Sequence, residues 1–570
     1  MRPTRNLLTP VLIAVLLAAS CGSDDAGDET SASIQTEQPS VEEPSPDPTT
    51  EPDPTPDQQS PLDQAVEAIG GAESLQGLNR LRIEASGNHR IDCEAEVPTE
   101  LHEAASYSST YHFDLATDSL QMDATRTLLF EAFQFFPEET YSVVINGDVG
   151  GFATQTGFFP VGPMPSQYVG ALRQQQRLFN PHFLLREALA DPALASDGGS
   201  EDYEGRQHSI LTIADSGQEL RLFVDSETGV ISKLETLENN PLFRDVAIEI
   251  RYSEWQEYGA LSFPNRVELH TIGGLLHDQT RSAIVLEPAD LPDSGFVLPE
   301  EAQNAVVDAD AFAFGAQSHH VVQAFFAIVF GYEPGGATEV SELAPGVTLL
   351  GTGTNSLAIS LDGGLVVLEA PLTPAHGSHV IEVLDEQFPE VPITHLVQTH
   401  HHQDHSAGAR SFVAEGSTVV IGPGVRSHYE DVFMAPSTIR PDALSQTPGV
   451  VPTIEEVPDE GTFVIADDEI TVTVHHLGAN GHSDDMVMTV VDTADGRFVY
   501  QADLYNAGAG FTAIIGGPGA LFSALRDLGI IEETCTTDVP LTIVPSHGVA
   551  LSLEDSLAEL EAQGEDIGCS

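Results

Sequence analysis

Lysine is almost missing from this chain: Lys233 is the only one in 570 residues, and basic side chains total 21 against 88 acidic ones. The formal net charge of -67 sets up a field that repels phosphate backbones, which argues against nucleic acid as a substrate. Abundant acid with scarce lysine also resembles proteins adapted to high salt. Long apolar runs are lacking too. The stretch in "MRPTRNLLTPVLIAVLLAASCGSDD" is interrupted by Pro10 and ends in Ala-Ala-Ser-Cys, short of the roughly 20 apolar residues a membrane-spanning helix needs. Cysteine is scarce, with only Cys21, Cys93, Cys535 and Cys569 present.

Arg2 and Arg5 precede that apolar run and small residues follow it, so residues 1–20 read as an export signal. The small residues before Cys21 resemble a bacterial lipoprotein cleavage site, although Ala18 stands where leucine is commonest. The resemblance implies acylation of Cys21 and a membrane partner reached through that lipid, at the cell envelope, in the periplasm or on the extracellular face. Ordinary secretion is the alternative. Residues 21–61 are dense in acid and proline and nearly devoid of apolar side chains. Such a segment cannot bury enough surface to offset its ordering entropy, so an extended tether is expected. In an exported protein a Cys535 to Cys569 disulfide is admissible, although sequence does not fix connectivity and an odd cysteine is left over.

The remaining chain, about 500 residues, exceeds one typical core, so two domains are expected. Over residues 62–300 a helical stretch, "LDQAVEAIGGAESLQGL", is followed by period-two patterns. "YHFDLATDSLQMDA" folds about one short turn, and "HSILTIADSGQELRLFVDSETGVISKLETL" reads as three strands. Strands joined by short turns make an antiparallel meander. "AIGGAESLQGLNRLRIEASG" and "EYGALSFPNRVELH" resemble the half-barrel of outer-membrane lipoprotein carriers, which implies a helix against a curved sheet and a lipid ligand. Residues 301–340 form a junction in which His319 and His320 lie on an apolar helix as ordinary helix histidines. From 341 to 570, strands alternate with helices, beginning with a hairpin at "NSLAISLDGGLVVLE". That alternation marks an α/β domain.

This second domain holds "THHHQDHSAG" between the strand "ITHLVQT" and the helix start "SAGARSFVA". In an extended turn, residues two apart share a side, so His400 and His402 can address one ion and Asp404 and His405 a second. Imidazole with carboxylate suits zinc. Later strands end in His482 ("GHSDD"), Asp503 ("FVYQADLY") and His547 ("VPSHG"). A histidine-rich loop that bound stray metal would not call for these three. His401, His475 and His476 are surplus, and Ser483, Asp484 and Asp485 read as turn residues.

In this order the motifs resemble the metallo-β-lactamase superfamily over roughly residues 341 to 570, and "LVVLEAPL" matches the region of its first motif. The resemblance implies an αβ/βα sandwich. It implies that His400, His402 and His482 hold one metal ion, that Asp404, His405 and His547 hold a second, and that Asp503 bridges them. The ions would be two Zn2+, with iron or manganese as alternatives. Glu369 stands where the family has aspartate, implying a glutamate that hydrogen-bonds a ligand histidine. Two such ions acidify a clamped water and polarise a carbonyl, with Asp404 orienting the nucleophile. The carboxylate of Asp503, in place of cysteine or serine, separates the chain from true zinc β-lactamases. The expected activity is hydrolysis of a small-molecule ester, lactone or thioester, with Asn355 and Tyr505 as candidate pocket contacts. The alternatives are a β-lactamase-like amide hydrolase, or an envelope lipid or lipoprotein binder whose metal domain is structural.

Overall fold

In the computed structural model the described residues are 59–91, 95, 97–98, 100–129, 138–154, 161–215, 217–272, 274–291, 296–305, 307, 338–351, 354–508 and 517–569. The export signal, Cys21, nearly all of the tether, Cys93, His319 and His320 lie outside them. Period-two alternation builds the first half as expected. Ser119–Leu128, for example, buries every second residue. Thirteen antiparallel strands form one open sheet, with Gly162–Met164 and Ala195–Tyr203 at its edges. Arg80–Ile91 pairs with the last strand, Gly274–Leu286, so the first and last segments meet in the middle of the sheet.

Four helices pack against this sheet: Pro61–Ala68, Ala72–Gly77, Ser166–Phe179 and Pro181–Ala190. Their Val66, Leu172, Phe179 and Leu184 join Leu211, Leu222, Ile250 and Phe263 in one core. Ser60 caps the first helix by accepting from the Asp63 amide, with Pro61 at its start, where the missing N–H has no cost. The break after it falls on Gly70, at φ 120°, where a Cβ would lie 2.1 Å from the Ala260 carbonyl oxygen. No side chain fits there.

The second half is a sandwich of two sheets. One has seven strands, antiparallel at first and parallel from Gly364–Leu368 onward; the other has six. Their inner faces meet through Leu357, Val366, Val397 and Val420 on one side and Val472, Val491, Phe498 and Val544 on the other. The helices Pro374–Gln387, Ala409–Ala414 and Arg426–Met434 cover the outer face of the first sheet. Gly517–Asp527 and Leu553–Gln563 cover the second. The expected hairpin is present, as Asn355–Leu361 with Gly364–Leu368, and Cys535 is disulfide-bonded to Cys569.

The described residues of the two halves from Ser60 onward fall in one compact unit. The turn between strands Ile231–Asn240 and Arg244–Tyr258 explains much of that union. Its Leu242 is buried in the core of the seven-stranded side, with Phe243 packed beside it. Arg244, almost fully buried, lies 3.2 Å from Asp442, which also receives Arg410 Nε at 2.6 Å. Burial holds the Arg244 guanidinium down to about 10 despite the pull of Asp442. Removing the shared carboxylate would strand two buried cations, which costs roughly 3–5 kcal/mol for a broken buried pair. Asp442→Ala is therefore expected to lower stability by that amount in urea unfolding. A loss below about 1 kcal/mol would mean that water reaches these guanidiniums.

Candidate metal centre

Five loops at one edge of the sandwich carry the side chains in question, each following a strand. Glu369 follows Gly364–Leu368, His400 and His402 follow Ile393–Val397, and His482 follows Thr471–His476. Asp503 follows Arg497–Tyr500, and His547 follows Leu541–Val544. Main-chain bonds lock the loops together: Val487 N donates to Thr399 O at 2.7 Å, Leu372 N to Asp404 O at 3.1 Å, and Asn355 N to Ser546 O at 2.7 Å. One local expectation is corrected. Asp404 and His405 sit on a helical turn, Gln403–Ser406, with His402 at its N-cap; His405 N and Ser406 N bond back to the His402 carbonyl, so the extended turn stops at His402. Glu369 and Ala502, next to Asp503, hold left-handed backbone at φ 74° and 56°, a conformation that costs non-glycine residues of order 1 kcal/mol or more and recurs at functional sites.

The seven side chains converge. His400, His402 and His482 form one group of mutually close ligand atoms, and Asp404, His405, Asp503 and His547 form another. Asp503 connects them. Its Oδ2 lies 2.8 Å from His405 Nε2, 3.5 Å from His482 Nε2 and 3.9 Å from His400 Nε2, while its Oδ1 lies 3.5 Å from His547 Nε2. His482 Nε2 and His400 Nε2 are 3.1 Å apart; Asp404 Oδ2 is 3.0 Å from His547 Nε2 and 3.3 Å from His405 Nε2. Bonds of about 2.0–2.1 Å put neighbouring donors of a tetrahedral zinc roughly 3.3 Å apart, within the range of the spacings above. Asp404 Oδ1, Asp503 Oδ1 and His405 Nε2 are buried with no aligned hydrogen bond among the described residues. Buried polar atoms in that state call for a partner, and a metal ion fits the donor set.

The outward nitrogens are held in turn. His405 Nδ1 donates to Glu369 Oε2 at 3.1 Å. Thr399 Oγ1 donates to the other Glu369 oxygen and accepts from His400 Nδ1 at 3.0 Å. Glu369 thus orients one histidine of each group, directly or through Thr399, and leaves both Nε2 atoms facing inward. His402 Nε2 donates to the Ala95 carbonyl at 2.9 Å, so Nδ1 is the atom it can offer to an ion. That carbonyl comes from the N-terminal half. The sequence reading missed both Ala95 and Thr399; a hydroxyl directly before the histidine triplet was the available signal for the latter.

Burial, reinforced by the neighbouring imidazoles, pushes His400 and His402 well below the usual histidine range. Burial lowers His482 too, against the pull of Asp503. All three are thereby biased towards the neutral imidazole, the form whose lone pair can bind an ion. Burial also opposes charge on His405, but Asp404, Asp503 and Glu369 overcome it and raise the ring well above its ordinary value; His547 is raised likewise, by Asp503 and Asp404. Burial lifts the Glu369 carboxyl above the usual range, although His405 and Thr399 pull it down.

Asn355 and Tyr505 are placed differently from the expectation of substrate contacts. The Asn355 amide donates to Pro545 O and Gly548 O, both at 3.0 Å, bracing the loop of His547. Tyr505 is buried in the core under the six-stranded sheet, its hydroxyl donating to Glu559 at 2.9 Å. His475 is partly buried, and His476 Nε2 bonds the Asp484 carbonyl at 2.9 Å. His401 Nδ1 lies 2.7 Å from Asp485 Oδ1, outside both ligand groups, with its ring edge-on to His402 at 4.9 Å.

Residues 349–515 match the family model described as the metallo-beta-lactamase superfamily. This part of the chain is a metallo-β-lactamase superfamily domain. His547 lies beyond the matched residues and enters the site through the fold. Similar solved structures include a metallo-beta-lactamase from Pontibacter korlensis, 15% identical, with a TM-score of 0.30, covering 40% of this chain and 100% of that one. Another, from Hirschia baltica, is 16% identical with a TM-score of 0.28 and covers 39% of this chain and 97% of that one. No curated protein matches the chain.

The opposed histidine shifts give the metallo-β-lactamase domain a pH signature. A metal ion would have to displace protons more readily held by the raised His405 and His547 than by the lowered His400, His402 and His482, so affinity for an ion at the Asp404 group should fall first as pH drops. Zinc titrations from pH 7.5 to 5.5 are expected to show one ion lost while the other stays. Simultaneous loss of both would contradict the assignment.

Proposed function

We propose that the protein is a binuclear zinc hydrolase of small-molecule esters, lactones or thioesters. The observation that carries this reading is Asp503, whose two oxygens address the two histidine groups from between them. Two zinc ions held there would supply Lewis acidity and a water acidified towards neutral pH. His400, His402 and His482 would hold one ion; Asp404, His405 and His547 would hold the other; Asp503 would join both. Asp404 keeps Oδ1 unbonded within the site while Oδ2 faces His547 and His405, so Oδ1 is the atom placed to take a proton from the attacking water and fix its direction. Five of these seven side chains are buried, with Asp404 and His547 partly exposed at the rim, and the low dielectric around the buried ones strengthens their contacts. No serine or cysteine nucleophile is required.

The strong negative charge favours a neutral or cationic substrate over a polyphosphate,. The proposal includes export and anchoring through a lipid on Cys21. It also includes a lipid or acyl ligand for the N-terminal sheet, as the resemblance to lipoprotein carriers suggests. A panel of lactones, thioesters, simple esters, phosphodiesters and β-lactams tests it with zinc-loaded and chelated enzyme. Zinc-dependent turnover of an ester, lactone or thioester is expected, with kcat reduced at least about 100-fold in Asp503→Ala. Turnover that survives chelation, or confined to phosphodiesters, would overturn it.

A further inference from the structure

The middle histidine of the "HHH" triplet has no part in either ligand group, yet it is as buried as the two that do. His401 is 2% exposed, and its partners Asp485 and Ser483 are each 1% exposed. His401 Nδ1 lies 2.7 Å from Asp485 Oδ1 and 3.2 Å from Ser483 Oγ, and the Ser483 hydroxyl donates to the same Asp485 oxygen. Serine, histidine and aspartate suggest a nucleophilic triad by type. Here serine and aspartate meet the same ring nitrogen, so the imidazole cannot pass a proton between its two nitrogens.

The placement of the three serves another end. His401 sits between His400 and His402, while Ser483 and Asp485 follow His482 on a different loop. The ion expected between His400, His402 and His482 draws all of its histidines from these two loops. The Asp404 group draws on other segments as well, through His547. Each loop is also fixed from behind. Ser406 Oγ donates to the His401 carbonyl at 3.0 Å, and Asn480 Oδ1 accepts from the amides of His482 and Ser483 at 2.8 and 3.1 Å. A Cβ at Gly422 would lie 1.8 Å from the Asp485 carbonyl oxygen, so that loop rests directly on bare main chain. The far side of His401 faces the His428 ring at 5.7 Å, and His428 meets Phe243 of the N-terminal sheet at 5.5 Å.

We infer that His401 is a positioning residue: with Asp485 and Ser483 it ties the loop of His400 and His402 to the loop of His482 and so sets the geometry of one ion site selectively. The inference rests on the binuclear reading above. Groups that orient metal ligands typically change affinity by about 10- to 100-fold when removed. A buried carboxylate left without its partner is also destabilising in its own right.

Zinc titration of the full chain in competition with a chromophoric chelator, on wild type, His401→Ala, Asp485→Ala and Asp485→Asn, tests this. In the two alanine variants the affinity for one ion is expected to fall about 10- to 100-fold while the other ion stays within about threefold. kcat on the ester turned over best should fall with it at nearly constant KM. Asp485→Asn keeps an acceptor facing His401 Nδ1 and should restore both quantities to near wild type, which a general packing defect would not allow. Wild-type affinity for both ions in either alanine variant would overturn the inference, as would equal loss of both ions or failure of Asp485→Asn to rescue. A wild-type chain that binds no zinc would overturn the binuclear reading along with it; two ions in wild type with unaffected variants would overturn the positioning role alone.

Discussion

The site depends on the buried carboxylate of Asp503, held within 2.8 to 3.9 Å of three histidines through one oxygen and facing a fourth through the other. Several imidazoles and two carboxylates packed in a solvent-poor space repel and attract each other too strongly to rest in arbitrary order. The arrangement separates them. Neutral rings gather on one side of Asp503 and rings drawn towards protonation on the other, beside Asp404. Metal ions, if bound as proposed, would resolve both halves, taking the lone pairs of the first and replacing the protons of the second. The left-handed backbone at Glu369 and Ala502 is local strain held by main-chain bonds, from Glu369 N to Val397 O and from Ser546 N to Ala502 O, both at 3.0 Å.

Around this centre the sandwich and the N-terminal sheet act together. The sandwich provides parallel and antiparallel strand ends that release five loops at one edge. The N-terminal half provides the Ala95 carbonyl to His402, from between two of its strands, and buries Leu242 and Arg244 in the sandwich's outer layer. A half that reads as an independent module along the chain therefore reaches the ligand set at one of its histidines.

Much of this was legible in the sequence because it is carried by short-range chemistry. Alternation such as Tyr111, Phe113 and Leu120, Met122 specified neighbouring antiparallel strands, and the Asp-Gly-Gly turn specified the hairpin before Glu369. The spacing of His400, His402, Asp404 and His405 advertised a candidate cluster, and the superfamily resemblance joined to it His482, Asp503 and His547, which the fold brings close. What escaped depends on tertiary contact. Nothing in a single-residue pattern tells that Ala95, some 300 positions earlier, would lend a carbonyl, or that Asp485 would pair with His401. The partners of Asn355 and Tyr505, on the His547 loop and the C-terminal helix, were hidden for the same reason. The helical turn at Asp404 was hidden because a histidine-rich segment has no strong preference for either conformation.

The central claim, that this constellation holds two ions around one bridging carboxylate, is open to anomalous diffraction at the zinc edge on crystals of the zinc-loaded chain. The account predicts two peaks about 3.5–4 Å apart, one among His400, His402 and His482, the other among Asp404, His405 and His547, with Asp503 touching both. A single peak, or two peaks that leave Asp503 out, would contradict it.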